Sequence, residues 1–95
     1  MVVSMMQFIM ELHGITSIKE KRRVVKSLKD RLYKKFRVTA SEVDLQDSLG
    51  FTQIGIALVS NSKSFGESVM NKAIDFVDAQ GVGRLQDYSI FSEIY

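Results

Sequence analysis

Apolar side chains alternate with other residues through the first thirteen positions of the chain. The even positions from 2 to 12 are apolar except for Ser4, and a period of two is typical of a β-strand that buries one face. His13 and Gly14 end the pattern. The sequence therefore predicts a first strand over residues 1–13, with its even-numbered side chains in the core.

The period changes to that of a helix after Ser17. Ser17 and Glu20 have the spacing of a capping box, in which the serine oxygen accepts an N–H of the first turn and the glutamate accepts the serine N–H. The spacing of the apolar residues that follow predicts a helix of about five turns with one apolar stripe. The stripe consists of Ile18, Val25, Leu28, Leu32 and Phe36.

A hairpin of two strands follows the first helix. β-Branched residues alternate with polar ones over residues 37–45, and residues 51–60 carry the strongest alternation in the chain. A turn at residues 46–50 joins them, which predicts antiparallel pairing. On the third strand, Thr52, Ile54, Ile56 and Leu58 are expected to face the core.

A second helix and a fourth strand complete the chain. Ser64 and Glu67 form another capping box, and Gly81 and Gly83 end the helix. A looser alternation predicts a last strand over residues 84–95. The apolar residues assigned to the second helix lie three or four positions apart, at Phe65, Val69, Ala73 and Phe76.

The predicted order of elements is β-α-β-β-α-β. Right-handed crossovers place both helices on the same face of the sheet, so we expect a single α+β domain over residues 1–95. Its arrangement is ferredoxin-like: a four-stranded antiparallel sheet with two helices on one face. This fold hosts unrelated functions, so it predicts no activity by itself.

The composition excludes several kinds of chemistry. The 95 residues contain no cysteine, so disulfides, thiolate nucleophiles and cysteine metal sites are excluded. The apolar first segment is too short to cross a bilayer and no basic residue precedes it. We therefore expect a cytoplasmic protein that does not contact a membrane.

The formal net charge of +2 conceals a strong segregation of charge. Residues 19–37 contain ten basic and two acidic residues, a net charge of +8, and the rest of the chain carries −6. A helical wheel places Lys19, Arg22, Arg23, Lys26 and Lys29 in a stripe on the side away from Leu28 and Leu32. Such a stripe can follow a phosphate backbone. The alternative is an ordinary solvated helix face, with Lys26, Asp30 and Lys34 in intrahelical pairs.

Lys21 is an exception within the first helix. The helical wheel places it beside the apolar stripe, near the start of the helix. Two interpretations remain open: its ammonium group reaches past the stripe into solvent, or it lies at the edge of the sheet as part of a site.

No catalytic or metal-binding motif is recognisable. His13 is the single histidine, which excludes a multi-histidine metal site, and no serine has a histidine nearby to activate it. Glu42, Asp44 and Asp47 surround the hairpin turn and are a candidate for a hard cation, although an acidic solvated turn is the simpler interpretation. We expect a non-enzymatic protein with no cofactor and no metal.

The outward face of the sheet is unusually apolar. The outward positions assigned to the first and third strands carry no aromatic residue, unlike the stacking positions of an RNA-recognition motif. We expect this face to bind a second copy of the chain; the alternative is scattered exposed apolar residues. Its apolar members are Val3, Met5, Ile9, Ala57 and Val59, with Phe91 on the fourth strand.

The segment that begins Ser17-Ile18-Lys19-Glu20-Lys21-Arg22-Arg23 and continues to Leu32 resembles the YlxP-like family of small bacterial proteins, as do Ser41-Glu42-Val43 with Gln46-Asp47, and Leu58-Val59-Ser60-Asn61. The sequence departs from the family pattern at Ser48-Leu49-Gly50-Phe51. The resemblance implies a ferredoxin-like domain of unknown function, encoded among genes for transcription elongation, translation initiation and ribosome maturation.

That setting favours association with RNA or a ribosomal particle, and it supplies no catalytic residues. The alternative function is a homo-oligomeric module that binds an acidic protein or a small anionic ligand. The matching residues able to contact a partner are Lys19, Lys21, Arg22, Arg23, Lys26 and Lys29.

Overall fold

The computed structural model describes all residues from Met1 to Tyr95. The elements follow the predicted order, which confirms the α+β class. Neither helix is long and apolar enough to cross a membrane. The bounds are β1 (Val2–Leu12), α1 (Ile18–Phe36), β2 (Thr39–Asp44), β3 (Phe51–Ser60), α2 (Lys63–Ala79) and β4 (Gly83–Ile94).

The four strands form one sheet in the order β2-β3-β1-β4, and every neighbouring pair is antiparallel. β1 lies at the centre, where Met6 is paired with Ile56 on one side and Ile90 on the other. Both helices contact the sheet, and the ferredoxin-like arrangement is confirmed.

The core lies between the sheet and the helices. All even residues of β1 are buried, as predicted. Those from Met6 to Leu12 form one core cluster with Val25, Leu28 and Leu32 of α1. Ser4 is the polar exception in the alternation, and it is fully buried. Its hydroxyl is satisfied by a hydrogen bond of 2.8 Å to the hydroxyl of Ser92 on β4, so a polar residue is tolerated at this position.

The predicted cap of α1 is confirmed in one half and wrong in the other. Ser17 Oγ accepts the N–H of Glu20 at 3.1 Å. The Glu20 carboxylate does not accept the Ser17 N–H; it accepts the hydroxyl of Thr16 at 3.0 Å and the Thr16 N–H at 3.4 Å. Thr16 offers two donors to one carboxylate oxygen, which the Ser17 backbone cannot match.

The second helix begins earlier than predicted and turns a different face to the sheet. Its N-cap is Ser62, whose Oγ accepts the N–H of Phe65 at 3.2 Å, and not Ser64. The Phe65 side chain, assigned to the core from the spacing, is 56% exposed. The buried residues of α2 are Gly66, Met70, Ala73, Ile74 and Val77.

Gly66 explains the rotation of α2. A Cβ atom built at this position would collide with the Ser4 side chain on β1, so α2 approaches β1 closely at a point where only glycine fits. This contact turns Gly66 and Met70 inward and leaves Phe65 in solvent.

β2 is also shorter than predicted, because Arg37 ends α1 in a left-handed conformation (φ 57°) and Val38 is buried in the core before the strand begins.

Candidate nucleic-acid interface

The predicted basic stripe lies on the exposed side of α1. Lys19, Arg22, Arg23 and Lys26 are exposed, and Lys29 is half-buried. The buried stripe of Val25, Leu28 and Leu32 fixes the rotation of the helix on the sheet and so directs these cations outward.

Lys26 is the one member of the stripe with an acidic partner on the same helix. Its Nζ donates to Asp30 Oδ2 at 3.0 Å, an exposed pair with i,i+4 spacing. This hydrogen bond, with the charges of Lys26, Lys34 and Lys29, holds the pKa of Asp30 below its usual range. Because both groups are solvated, the pair stabilises the fold very little, and Lys26 remains accessible to an anion.

Three basic residues near the C-terminal end of α1, Arg31, Lys35 and the cap Arg37, are engaged by the protein. Arg31 donates to Gln80 Oε1 at 2.8 Å. The Lys35 ammonium lies 4.9 Å from the centre of the Phe76 ring, and the Arg37 guanidinium lies 5.4 Å from that of Tyr33. Cation–π contacts of this kind hold a positive group against a ring face.

The unengaged cations concentrate toward the start of α1. Four basic residues there make no side-chain hydrogen bond or ion pair with the protein: Lys19, Arg22, Arg23 and Lys29. Near the end of the helix, Lys34 also has no partner. The first three turns of α1 therefore present positive charge that nothing in the chain neutralises.

Lys21 is buried, with 2% of its surface exposed. Its Nζ lies 3.1 Å from Glu42 Oε2 and donates to the carbonyl oxygens of Leu45 at 2.6 Å and Gln46 at 3.5 Å. The ammonium does not reach into solvent: it lies at the edge of the sheet, where it joins α1 to β2 and the loop after it.

Glu42 is the acidic centre of this network. Besides Lys21, its Oε2 accepts the hydroxyl of Thr52 on β3 at 2.5 Å. The group of Lys21, Glu42 and Thr52 is called the lysine clasp below. A buried ammonium needs an ionic partner and further hydrogen bonds to offset its lost hydration, and the lysine clasp supplies both.

The loop of residues 45–50, which joins β2 to β3, has a defined conformation. Leu45 adopts a left-handed backbone (φ 64°), which is rare for a leucine. Asp44 Oδ1 accepts the Leu45 N–H at 2.7 Å, and the Leu45 carbonyl accepts both Lys21 Nζ and the Ser48 N–H, the latter at 3.0 Å. The resulting turn places Gln46 and Asp47 at its exposed tip.

A groove of about 680 Å³ lies between α1 and this loop. Arg22, Lys26 and Lys29 line its helical side, and Gln46 and Asp47 line the opposite side. Lys21 and Glu42 also line it. The sequence did not predict the groove, although the position of Lys21 on the helical wheel marked where it lies.

The three carboxylates near the hairpin turn have separate roles. Glu42 belongs to the lysine clasp, Asp44 holds the Leu45 N–H, and Asp47 lines the groove. They do not gather into a group with the geometry of a metal site.

The outward face of the sheet is apolar and has no covering layer. Val59 is 63% exposed and Phe91 is 47% exposed. The register adds Phe51, which pairs with Glu11 and so shares this face; it was missing from the residues assigned to it from the sequence. One aromatic residue of β3 therefore lies outward, at the end of the strand next to the 45–50 loop.

Comparison with known proteins identifies the family. The family described as "Protein of unknown function (DUF503)" matches residues 3–90. The chain belongs to this family. It is also 40% identical over 63 residues to the uncharacterized protein YlxP of Bacillus subtilis (strain 168), a match that spans 66% of this chain and 68% of that protein. The resemblance to the YlxP-like family is confirmed.

Solved structures with the same fold have unrelated sequences. The structured domain of Drosophila melanogaster Boca superposes with a TM-score of 0.54 at 14% identity, over 96% of this chain and 99% of that one. An Arabidopsis thaliana protein gives 0.52 at 11% identity, over 98% and 94%. A de novo designed protein with a ferredoxin fold gives 0.50 at 12% identity, over 98% and 83%. At these identities the similarity shows the fold alone.

The lysine clasp predicts a large effect of Lys21→Met on stability. The variant keeps the aliphatic length of the side chain but removes the cation paired with Glu42, which retains only the Thr52 hydroxyl as a donor, and one of the two donors to the Leu45 carbonyl. We expect the free energy of unfolding to fall by roughly 2–4 kcal/mol. Removal of one partner of a buried ion pair leaves the other charge uncompensated, and the loss is reduced here because the Glu42 side chain remains 18% exposed. Urea denaturation measures the change.

Lys34→Met is the matched control, because Lys34 is exposed and has no partner. It should change the unfolding free energy by no more than about 0.5 kcal/mol. Equal effects of the two substitutions would show that the lysine clasp does not hold the loop.

Proposed function

We propose that this protein is a non-enzymatic RNA-binding protein of the translation or ribosome-assembly apparatus that contacts phosphates through the first three turns of α1. The observation that carries the proposal is the concentration there of exposed cations, of which Lys19, Arg22 and Arg23 have no partner within the protein. Lys19, Arg22, Arg23 and Lys26 form the surface, and Lys29 extends it into the groove.

The charge of the rest of the chain favours approach of a polyanion to α1. Outside residues 19–37 the chain carries −6, so a polyanion is repelled by most of the surface and attracted by one helix. Clustered charge of one sign steers association and raises the rate of encounter.

Lys21 has no part in the proposed contact surface. Its ammonium is buried and directed to Glu42 and Leu45, so its role is to position the loop. The arginines among the remaining residues suit phosphate, because a guanidinium can donate two parallel hydrogen bonds to two phosphate oxygens. Contacts of this type position an RNA and do not discriminate among bases.

The proposal predicts binding of structured RNA with a strong dependence on salt. Four or five phosphate contacts correspond to a slope of about −3 to −4 in a plot of log K against log salt concentration. The triple variant Arg22→Gln, Arg23→Gln and Lys29→Gln removes three charges and should make the slope shallower by about 2 to 3. Fluorescence anisotropy with fragments of ribosomal RNA across a salt series measures both.

The chain contains its own matched control. Lys63, Lys72 and Arg84 are the three basic residues outside the segment 19–37, and all three are exposed. Their conversion to glutamine changes the net charge by the same amount. This variant should keep more than half of the wild-type slope and affinity. Two results would refute the proposal: an equal loss of RNA affinity in both triple variants, or a flat salt response in the wild type.

A second candidate function follows from the uncovered sheet face. We infer a homo-oligomeric module in which that face joins two copies and the basic helices at its rim bind an acidic protein or a small anionic ligand. The support is the exposure of Val59 and Phe91 beside the half-buried Val3 and Met5. A face of four strands about 30 Å long offers an area of the order that a stable dimer buries on each partner.

Light scattering coupled to gel filtration tests this candidate. The wild type should have twice the mass of a single chain, and Phe91→Lys should have the mass of one chain, because burial of an unpaired ammonium in the interface is costly. Tyr88→Lys is the control: Tyr88 is also exposed on β4 but pairs with Phe8, which places it on the opposite face. A monomeric wild type would exclude the second candidate and leave the first intact.

A further inference from the structure

Binding of phosphate to α1 does not explain why the loop side of the groove between α1 and residues 45–50 carries a carboxylate. Arg22, Lys26 and Lys29 attract phosphate, but Asp47 on the opposite wall repels it. The other two carboxylates that line the groove, Asp30 and Glu42, are each paired with a lysine, whereas Asp47 makes no ion pair within the protein. The helical side carries Arg22, Lys26 and Lys29 with Asp30 as the one acid, which is paired with Lys26, so it is cationic on balance, and the loop side carries the unpaired acceptor Asp47.

The loop that forms the acceptor side of the groove has two locally unfavourable features. The turn requires a leucine with positive φ at residue 45 and a buried ammonium at Lys21, and each opposes folding unless its surroundings compensate for it. The lysine clasp and the Asp44 side chain provide that compensation. The Gln46 and Asp47 side chains at the tip have no hydrogen-bond partner of their own and remain exposed.

We propose that the groove binds a guanine nucleotide of single-stranded RNA, with the phosphate on Arg22 and Lys29 and the base edge on Asp47. The inference rests on the proposed function and deepens it, because it adds base selection to a surface that otherwise only positions RNA. The cationic side of the groove holds the RNA phosphate, and the tip of the loop receives the base of the same nucleotide.

The preference for guanine follows from the donors that each base offers. Guanine presents N1–H and the exocyclic N2–H side by side, so one carboxylate accepts two parallel hydrogen bonds. Adenine and cytosine present one amino donor beside a ring nitrogen that repels a carboxylate, and uracil presents one N–H between two carbonyls. Gln46 beside Asp47 adds an amide that donates to guanine O6.

The groove has a suitable size and the RNA must be unpaired. A volume of about 680 Å³ falls within the range of pockets that hold small molecules of nucleotide size. Because the hydrogen-bonding edge in question is the one used in base pairing, only a loop, a bulge or a single-stranded end offers it. Sequence-specific recognition of RNA commonly uses such unpaired bases.

Short RNA oligomers provide the direct test. Four seven-nucleotide uridine oligomers carry guanosine, adenosine, cytidine or uridine at the central position, so that length and charge are constant. We expect the guanosine oligomer to bind at least about fivefold more tightly than the others in fluorescence anisotropy, the lower end of what a bidentate base contact contributes. Asp47→Asn should reduce that preference to less than about twofold and leave binding of the all-uridine oligomer equal or tighter.

Asp75→Asn on α2 is the matched control, because Asp75 is exposed and does not line the groove. It should keep the full preference for guanosine. Salt-sensitive binding of all four oligomers with equal affinity overturns the inference and leaves the proposed function standing. Retention of the preference by Asp47→Asn, or its loss in Asp75→Asn, also overturns it, and absence of binding to any RNA overturns both proposals.

Discussion

The ammonium group of Lys21 is the point at which the helix, the sheet and the hairpin loop are joined. It lies in the first turns of α1, 24 residues before the carbonyl oxygen of Leu45 to which it donates at 2.6 Å, and it is paired with Glu42 at 3.1 Å. In an apolar interior such a group is stable only if its hydrogen-bonding capacity is used. The loop supplies the carbonyl oxygens, so the loop conformation and the burial of Lys21 depend on each other.

The charge distribution of α1 follows from the same packing. The apolar stripe fixes one side of the helix on the sheet, and Lys21 is accommodated beside it because its ammonium reaches the sheet edge. Lys19, Arg22 and Arg23 have no acceptor within the protein and stay in solvent. One helix thus contains a cation that maintains the fold and a row of cations available to a partner, and the groove lies at the boundary between them.

The periodicity of apolar residues predicted every element of the fold, because strands and helices bury faces with different periods. The start of α2 was missed because Ser62 and Ser64 are both suitable caps, and only the close approach of Gly66 to Ser4 decides the rotation of the helix. The helical wheel placed Lys21 beside the core. It could not identify the partners of Lys21, since Glu42 and Leu45 are distant in sequence. The turn between β2 and β3 was predicted, but its conformation was not, because leucine rarely has a positive φ.

The comparisons establish the family and the fold, and the functional proposal depends on the chemistry of one helix and one loop. Ultraviolet crosslinking of RNA to the protein in cells, with identification of the crosslinked residues by mass spectrometry, tests it most directly. The proposal predicts RNA attached within residues 19–29 of α1 and in the 45–50 loop. Crosslinks confined to the outward face of the sheet, or no more RNA than a non-binding protein recovers, would contradict it.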